Sequence, residues 1–407
     1  MECLHDVTDV PRLMCAPLHR VRCAGPSRNS CLNAISVALN ETCDGKSWYT
    51  STKELQLASL ELCIACRSYR MLHLNVDAEV PRRLLAAADA PPPHRRRLCG
   101  TRVPRLKARR VTWNMPSPWA VTTPIFALTD VECLVFGKTF EGSIDAVAWP
   151  HRLRRISFGY CSPFNQPINL VQWPSSLQEV AFGGKFNQPI DGTKFPASLQ
   201  ELTFGQKFNQ PIDGAKFPAS LQELTFGQKF NQLIEDVAWP TSLRHVRFGS
   251  IFNQPIERAK LPASLQQLTF GESFNQPVDD VRWPASLQEV TFGYCYDLEG
   301  NPTSFVSNFN QRIGSSIWPA SLRRLTLGGD FRQSLQGLGT WMPNLEELRV
   351  LDWEYDLDVG IVLSYDSLLR GIEWPKGLRE LTVFDHSRLD GVVIPSTVKV
   401  YRRKSDI

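Results

Sequence analysis

The chain has no apolar run approaching the roughly 18 residues that a membrane helix needs. Its first residues, MECLHDVTDVPRLMC, mix acids with the apolar side chains and hold no hydrophobic core, so they do not read as a secretory signal. Convergent catalytic chemistry is missing too. The seven histidines (His5, His19, His73, His94, His151, His245, His386) are scattered, and there is neither a nucleophile elbow nor a Gly-rich phosphate loop. An enzyme is not expected, and no cofactor or metal is implied. Of the eleven cysteines, eight (Cys3, Cys15, Cys23, Cys31, Cys43, Cys63, Cys66, Cys99) fall in the first hundred residues. Without an export signal they read as reduced thiols, which places the chain in the cytoplasm. Cys63 and Cys66 alone have zinc spacing, and His73, His94 and Cys99 supply no second tight pair, so both read as small core residues.

Charge is unevenly distributed. Residues 1–110 carry 18 Lys+Arg against 10 Asp+Glu, a net of +8, while the remaining 27 against 31 leave −4. Four segments follow: an N-terminal region over 1–90, a Pro/Arg-rich linker over 91–126, a repeat region over 127–401 and a basic tail over 402–407. In the first, Ser51-Thr52-Lys53-Glu54 has the form of a capping box ahead of a helix running to Arg70, and a second short helix is expected around Arg82–Asp89. The linker opens with Pro91-Pro92-Pro93 and continues through Arg95, Arg96, Arg97, Arg102, Arg105, Lys107, Arg109 and Arg110 without an acid. It reads as solvated chain. Nuclear import or nucleic-acid contact through 95–110 is the alternative, and nucleic acid is otherwise not expected as a partner.

The rest of the chain is dominated by repetition. Phe195–Ile212 recurs almost unchanged as Phe217–Ile234, and the aromatic-proline start appears at Trp149, Trp173, Phe195, Phe217, Trp239, Trp283, Trp318 and Trp374. Between Trp173 and Trp283 the step is 22 residues, with insertions later at Tyr294–Asn308 and Asp352–Tyr365. Such a unit is too short for a strand, a full helix and a return strand, and its two prolines oppose a helix. What remains is one short strand per coil, Leu-x-x-Leu-x-Phe, closed by a glycine such as Gly205 or Gly227, with strands stacked in parallel about 4.8 Å apart. Six apolar side chains per coil cannot offset the ordering of 22 backbones, so each coil depends on its neighbours. Two phenylalanine columns follow, through Phe204 and Phe226 and through Phe208 and Phe230, with an asparagine column beside the second at Asn187, Asn209 and Asn231.

At these residues the chain resembles the leucine-rich repeat superfamily, and specifically the FNIP-type repeat, whose signature stands here as Phe208-Asn209-Gln210-Pro211-Ile212. The likeness covers about two-thirds of the chain and loses its asparagine at Phe331-Arg332-Gln333-Ser334-Leu335. It implies a mainly β, right-handed solenoid with non-helical returns, whose strands line a concave face serving protein recognition. It also implies no cofactor and no catalytic residue.

In Leu-x-x-Leu-x-Phe the three variable positions face outward. They give columns of mostly Gln, then Glu, then Thr, interrupted by Arg154 with Arg155, by Arg244, His245 and Arg247, and by Arg323 with Arg324. With Glu201, Glu223 and Glu289 these are the candidate partner-binding residues, and the central basic coil suits an acidic or phosphorylated protein through arginine forks. The expected role is a protein-interaction module or scaffold. A substrate-recognition subunit of a ubiquitin ligase of the F-box type, suggested by the resemblance, and a ligand-free structural repeat are the alternatives. Ile394–Tyr401 is expected as the final edge strand, with Arg402, Arg403 and Lys404 discouraging further strand addition.

Overall fold

A computed structural model describes residues 72–76, 108–113 and 131–403, apart from 294, 297–301, 305–306, 315, 352–365, 385–388 and 390. In chain order the strands are β1 (Leu72–Val76), β2 (Ala108–Trp113), β3 (Cys133–Phe136), β4 (Arg155–Phe158), β5 (Glu179–Ala181), β6 (Glu201–Thr203), β7 (Glu223–Thr225) and β8 (His245–Arg247). They continue as β9 (Gln267–Phe270), β10 (Glu289–Phe292), β11 (Cys295–Tyr296), β12 (Pro302–Ser304), β13 (Arg324–Gly328), β14 (Glu347–Leu351), β15 (Glu380–Phe384) and β16 (Lys399–Arg403). All but β11 and β12 form one 14-stranded sheet in sequence order. Every neighbouring pair in it is parallel. The chain therefore forms a parallel β-solenoid. Among the described residues only two single-turn helices occur, α1 (Leu338–Trp341) and α2 (Asp366–Leu369).

The repeat places one residue type at each structural position, and each position has a physical reason. Leu202, Phe204, Phe208 and Ile212 are buried, as are their equivalents one coil on, so the core is one continuous column bundle. Phenylalanine rings stack along each column, with Phe182, Phe204 and Phe226 at 5.8 Å steps and Phe186, Phe208 and Phe230 at 6.1 Å. The two columns touch at 3.9 Å between Phe204 and Phe208. A third aromatic column lies at the aromatic-proline slot, where Trp149 stacks on Trp173 at 6.0 Å and Phe217 on Trp239 at 6.4 Å. The buried indole nitrogens of Trp149, Trp173, Trp239 and Trp283 have no acceptor among the described residues. Trp318 and Trp374 donate theirs to the Ile313 and Val393 carbonyls. Phe195, Phe217, Leu261 and Met342 fill the slot without an N–H, so the position requires apolar bulk and accepts a donor only where a carbonyl is near.

Polar groups close the edges of the stack. The Asn209 side-chain oxygen accepts from the backbone N–H of Asn231 at 2.9 Å, and the same bond repeats from Asn165 through to Asn310. The Gln232 amide donates to both Asn209 oxygens, backbone at 3.1 Å and side chain at 2.9 Å, and this second ladder also recurs. Ser220 donates to the Leu199 carbonyl at 2.5 Å, as its equivalents do around it. The closing glycines form a fourth column, and here the requirement is close approach. A Cβ at Gly227 would lie 1.9 Å from the Gly205 carbonyl oxygen.

Two boundaries differ from the sequence expectation. The sheet begins before residue 127, because β1 and β2 lie in the stretches read as N-terminal region and basic linker. Val111 and Trp113 are fully buried and stand in register with Leu134 and Phe136. The run Arg109-Arg110-Val111-Thr112-Trp113 matches Arg154-Arg155-Ile156-Ser157-Phe158 in kind, with its aromatic changed from Phe to Trp. At the other end the last strand is β16, shifted toward the tail relative to Ile394–Tyr401, so Arg402 and Arg403 are part of the edge strand itself. The helices expected in residues 51–89, the Cys63/Cys66 pair and residues 91–107 lie outside the described residues. The Tyr294–Asn308 insertion carries β11 and β12 as an antiparallel pair, and β10 still pairs directly with β13 across it. The Asp352–Tyr365 insertion lies outside the described residues.

Candidate protein-interaction face

From β5 to β10 each coil buries its strand Leu or Val and the Phe two residues on, and the residues between them lie on the opposite face. On that face Thr291 of β10 and Thr326 of β13 are themselves buried. The residue just before each strand joins the ladder through its backbone, since the Gln200 carbonyl accepts from Gln222 at 2.8 Å and from Glu223 at 3.0 Å. Its side chain is thereby held beside the strand's first outward position. Register sets the rest. Arg155, Glu179, Glu201, Glu223, His245 and Gln267 are successive partners across β4 to β9. Ser157, Ala181, Thr203, Thr225, Arg247 and Thr269 form the parallel column two residues on.

All ten candidate residues lie on this face, between β4 and β13, and none is buried. Their electrostatic states differ. Arg155 is paired with Glu179. His245 Nδ1 lies 3.1 Å from Glu223 Oε1. Arg324 reaches one oxygen of Glu289 through both Nε and a terminal nitrogen, at 3.0 and 2.7 Å. Arg323 donates to the Ala320 carbonyl at 2.8 Å and lies 3.4 Å from Glu346. Arg154, Arg244 and Arg247 are exposed. Glu201 is exposed and has no ion pair among the described residues. Burial first, then the Glu179 and Glu223 carboxylates on either side, push its carboxyl above the ordinary value, and Arg155 pulls it partly back. Cys133 continues the same row toward the N-terminus. Burial pushes its thiol up against the opposing pull of Arg110 and Arg155, which makes it a poor nucleophile.

Sequence reasoning missed the carboxylates that engage these arginines, Glu179 and Glu346. The 22-residue alignment could have found Glu179, because it occupies the same column as Glu201. The face also continues past the candidates, into an open depression lined by Glu347, Arg349, Leu351, Glu380, Thr382 and Tyr401. There Arg349 turns back to Glu347 at 2.5 Å. Among the described residues no group of three or more His, Cys, Asp or Glu is placed to hold a metal, and no helix is long and apolar enough to cross a membrane.

A family model for the FNIP Repeat matches residues 164–207, 208–250 and 252–295. No curated protein matches the chain. Among solved structures, CroV588, described as a novel circular LRR protein, is 26% identical over 74% of this chain and 50% of its own, with a TM-score of 0.46. The chain thus spans half the length of that protein. An internalin (inlF) from Listeria monocytogenes is 12% identical over 72% of this chain and 77% of its own, with a TM-score of 0.45. The structure of the Toll–Spatzle complex from Drosophila gives 12% identity over 82% and 54%, with a TM-score of 0.38. Three stretches between residues 164 and 295 thus match the FNIP Repeat, set within a parallel β-solenoid.

Proposed function

We propose that the chain is a protein-recognition module that engages its partner across the strand face around β8. The observation that carries this is the contrast at that strand. Arg244 stands exposed in a column whose neighbours are Gln222 and Gln266, with no ion pair among the described residues, while Arg155, Arg323 and Arg324 are drawn to carboxylates of the chain itself. A guanidinium held at the start of a rigid strand suits a carboxylate or phosphate on another protein. A solenoid of this type presents such a surface without needing to reorganise, which lowers the ordering cost of association.

The test is affinity purification from cell extract with the full chain beside its Arg244→Ala/Arg247→Ala form. A fragment starting near residue 120 would lack β1 and β2, so the full chain is required. A partner held by the native protein and lost from the variant supports the reading. Equal recovery by both contradicts it.

A further inference from the structure

The charges on β5 to β8 are ordered, and their order specifies more than an acidic partner. Glu179, Glu201 and Glu223 are consecutive partners in the ladder, so three carboxylates stand one strand spacing apart, about 4.8 Å. At the two ends of this row Arg155 pairs with Glu179 and the His245 ring lies against Glu223. The middle carboxylate has no ion pair among the described residues and stands one strand spacing from a carboxylate on either side. A cation from outside, placed over Glu201, would lie within one strand spacing of all three carboxylates. Two strands further on, β8 presents Arg244, an exposed cation whose column neighbours are uncharged. Gln200 and Thr203 flank Glu201, and Gln222 and Thr225 of the intervening coil lie between it and Arg244; all four offer donors and acceptors suited to a peptide backbone.

Two strand spacings are about 10 Å, and three residues of polyproline II chain cover about the same length while bringing residues i and i+3 to one side. We infer that this face takes an extended segment of a partner protein, crossing the strands, with a Lys or Arg over Glu201 and an Asp or Glu three residues away over Arg244. The inference rests on the strand-face recognition proposed above. A carboxylate is the favoured anion because the column neighbours of Arg244, Gln222 and Gln266, are uncharged, whereas a doubly charged phosphate is held best by several adjacent cations.

Short synthetic peptides pairing Arg with Glu at separations from adjacent to six residues, with a phosphoserine series beside them, test this against the full chain. The native protein is expected to bind the three-residue separation about tenfold tighter than the adjacent pair. Glu201→Gln and Arg244→Ala should each remove that preference, and Glu201→Lys should transfer it to peptides with Glu at both positions. Unchanged thermal melting of the Glu201→Gln protein shows that folding is intact. If Arg244→Ala weakens binding while both Glu201 variants bind as the native chain does, the inference fails and strand-face recognition stands. If no variant alters binding, or no peptide binds at all, both fail. A tenfold preference for phosphoserine over Glu would overturn the carboxylate assignment.

Discussion

At the scale of single residues, the repeat holds some positions by chemistry and others by space alone. Asn209 is of the first kind, because its side-chain oxygen serves both the Asn231 N–H and the Gln232 amide. Asn209→Ala would leave that backbone N–H unanswered and should cost about 1–3 kcal/mol in denaturant unfolding. Asn209→Asp retains the acceptor and should cost clearly less. Gly227 is of the second kind. Gly227→Ala puts a methyl group into the Gly205 carbonyl, and neither backbone can yield without unstacking two coils. The expected loss is above about 4 kcal/mol, read as a large fall in melting temperature. Gly192, by contrast, has φ +73 with open space around it, so Gly192→Ala should cost about 1 kcal/mol through backbone strain alone. Glu201 acts in the opposite sense. Its folded carboxyl holds its proton more tightly than an unfolded one, so its contribution falls as pH rises through the unfolded value toward the raised folded one. Glu201→Gln should therefore stabilise the protein slightly at neutral pH, by less than about 1 kcal/mol because the group is largely solvated. The gain should vanish at a pH below the unfolded carboxylate value, and melting curves at the two pH values check both statements.

At the scale of elements, a strand and its turn are legible wherever the repeat keeps its spacing. From Trp173 to Trp283 the step of 22 residues predicted the strands, the phenylalanine columns and the asparagine ladder, because each depends on one side chain at one position. The glutamine ladder was not foreseen. Gln210 and Gln232 read in sequence as ordinary surface residues, and only the geometry shows their amides reaching back one coil. β1 and β2 were missed for a related reason. Around β2 the proline-to-strand spacing is altered and arginines crowd the segment, so local charge masked the buried Val111 and Trp113. Those two residues cover Leu134 and Phe136 of β3, which gives a test at this scale. A protein beginning at residue 120 should show faster amide exchange in β3 and a lower melting temperature than the full chain. Equal protection of β3 in the two would mean that β2 adds nothing to the stack.

At the scale of the whole molecule, stability and the proposed recognition face come from the same regularity. Every coil leans on the next, so the core has no centre, and damage at one coil should spread only to its neighbours. The outward face inherits the period as well, which makes any departure from Gln, Glu and Thr conspicuous. The candidate face was legible in sequence because those departures are arginines and a histidine at three strands. Which of them remain available to a partner was not legible, since Arg155, His245 and Arg324 are each met by a carboxylate one strand away, at a distance in sequence of 22 residues or more.

The most direct test of the recognition role is the affinity of a captured partner, measured in solution for the full chain, for Arg244→Ala/Arg247→Ala and for Lys207→Ala, a change at an exposed turn lysine outside the strand columns. The strand-face account predicts a loss of about tenfold or more in the double variant, about 1.4 kcal/mol, and no change in the Lys207 variant. Equal affinities across all three proteins, or a loss confined to Lys207→Ala, would contradict it.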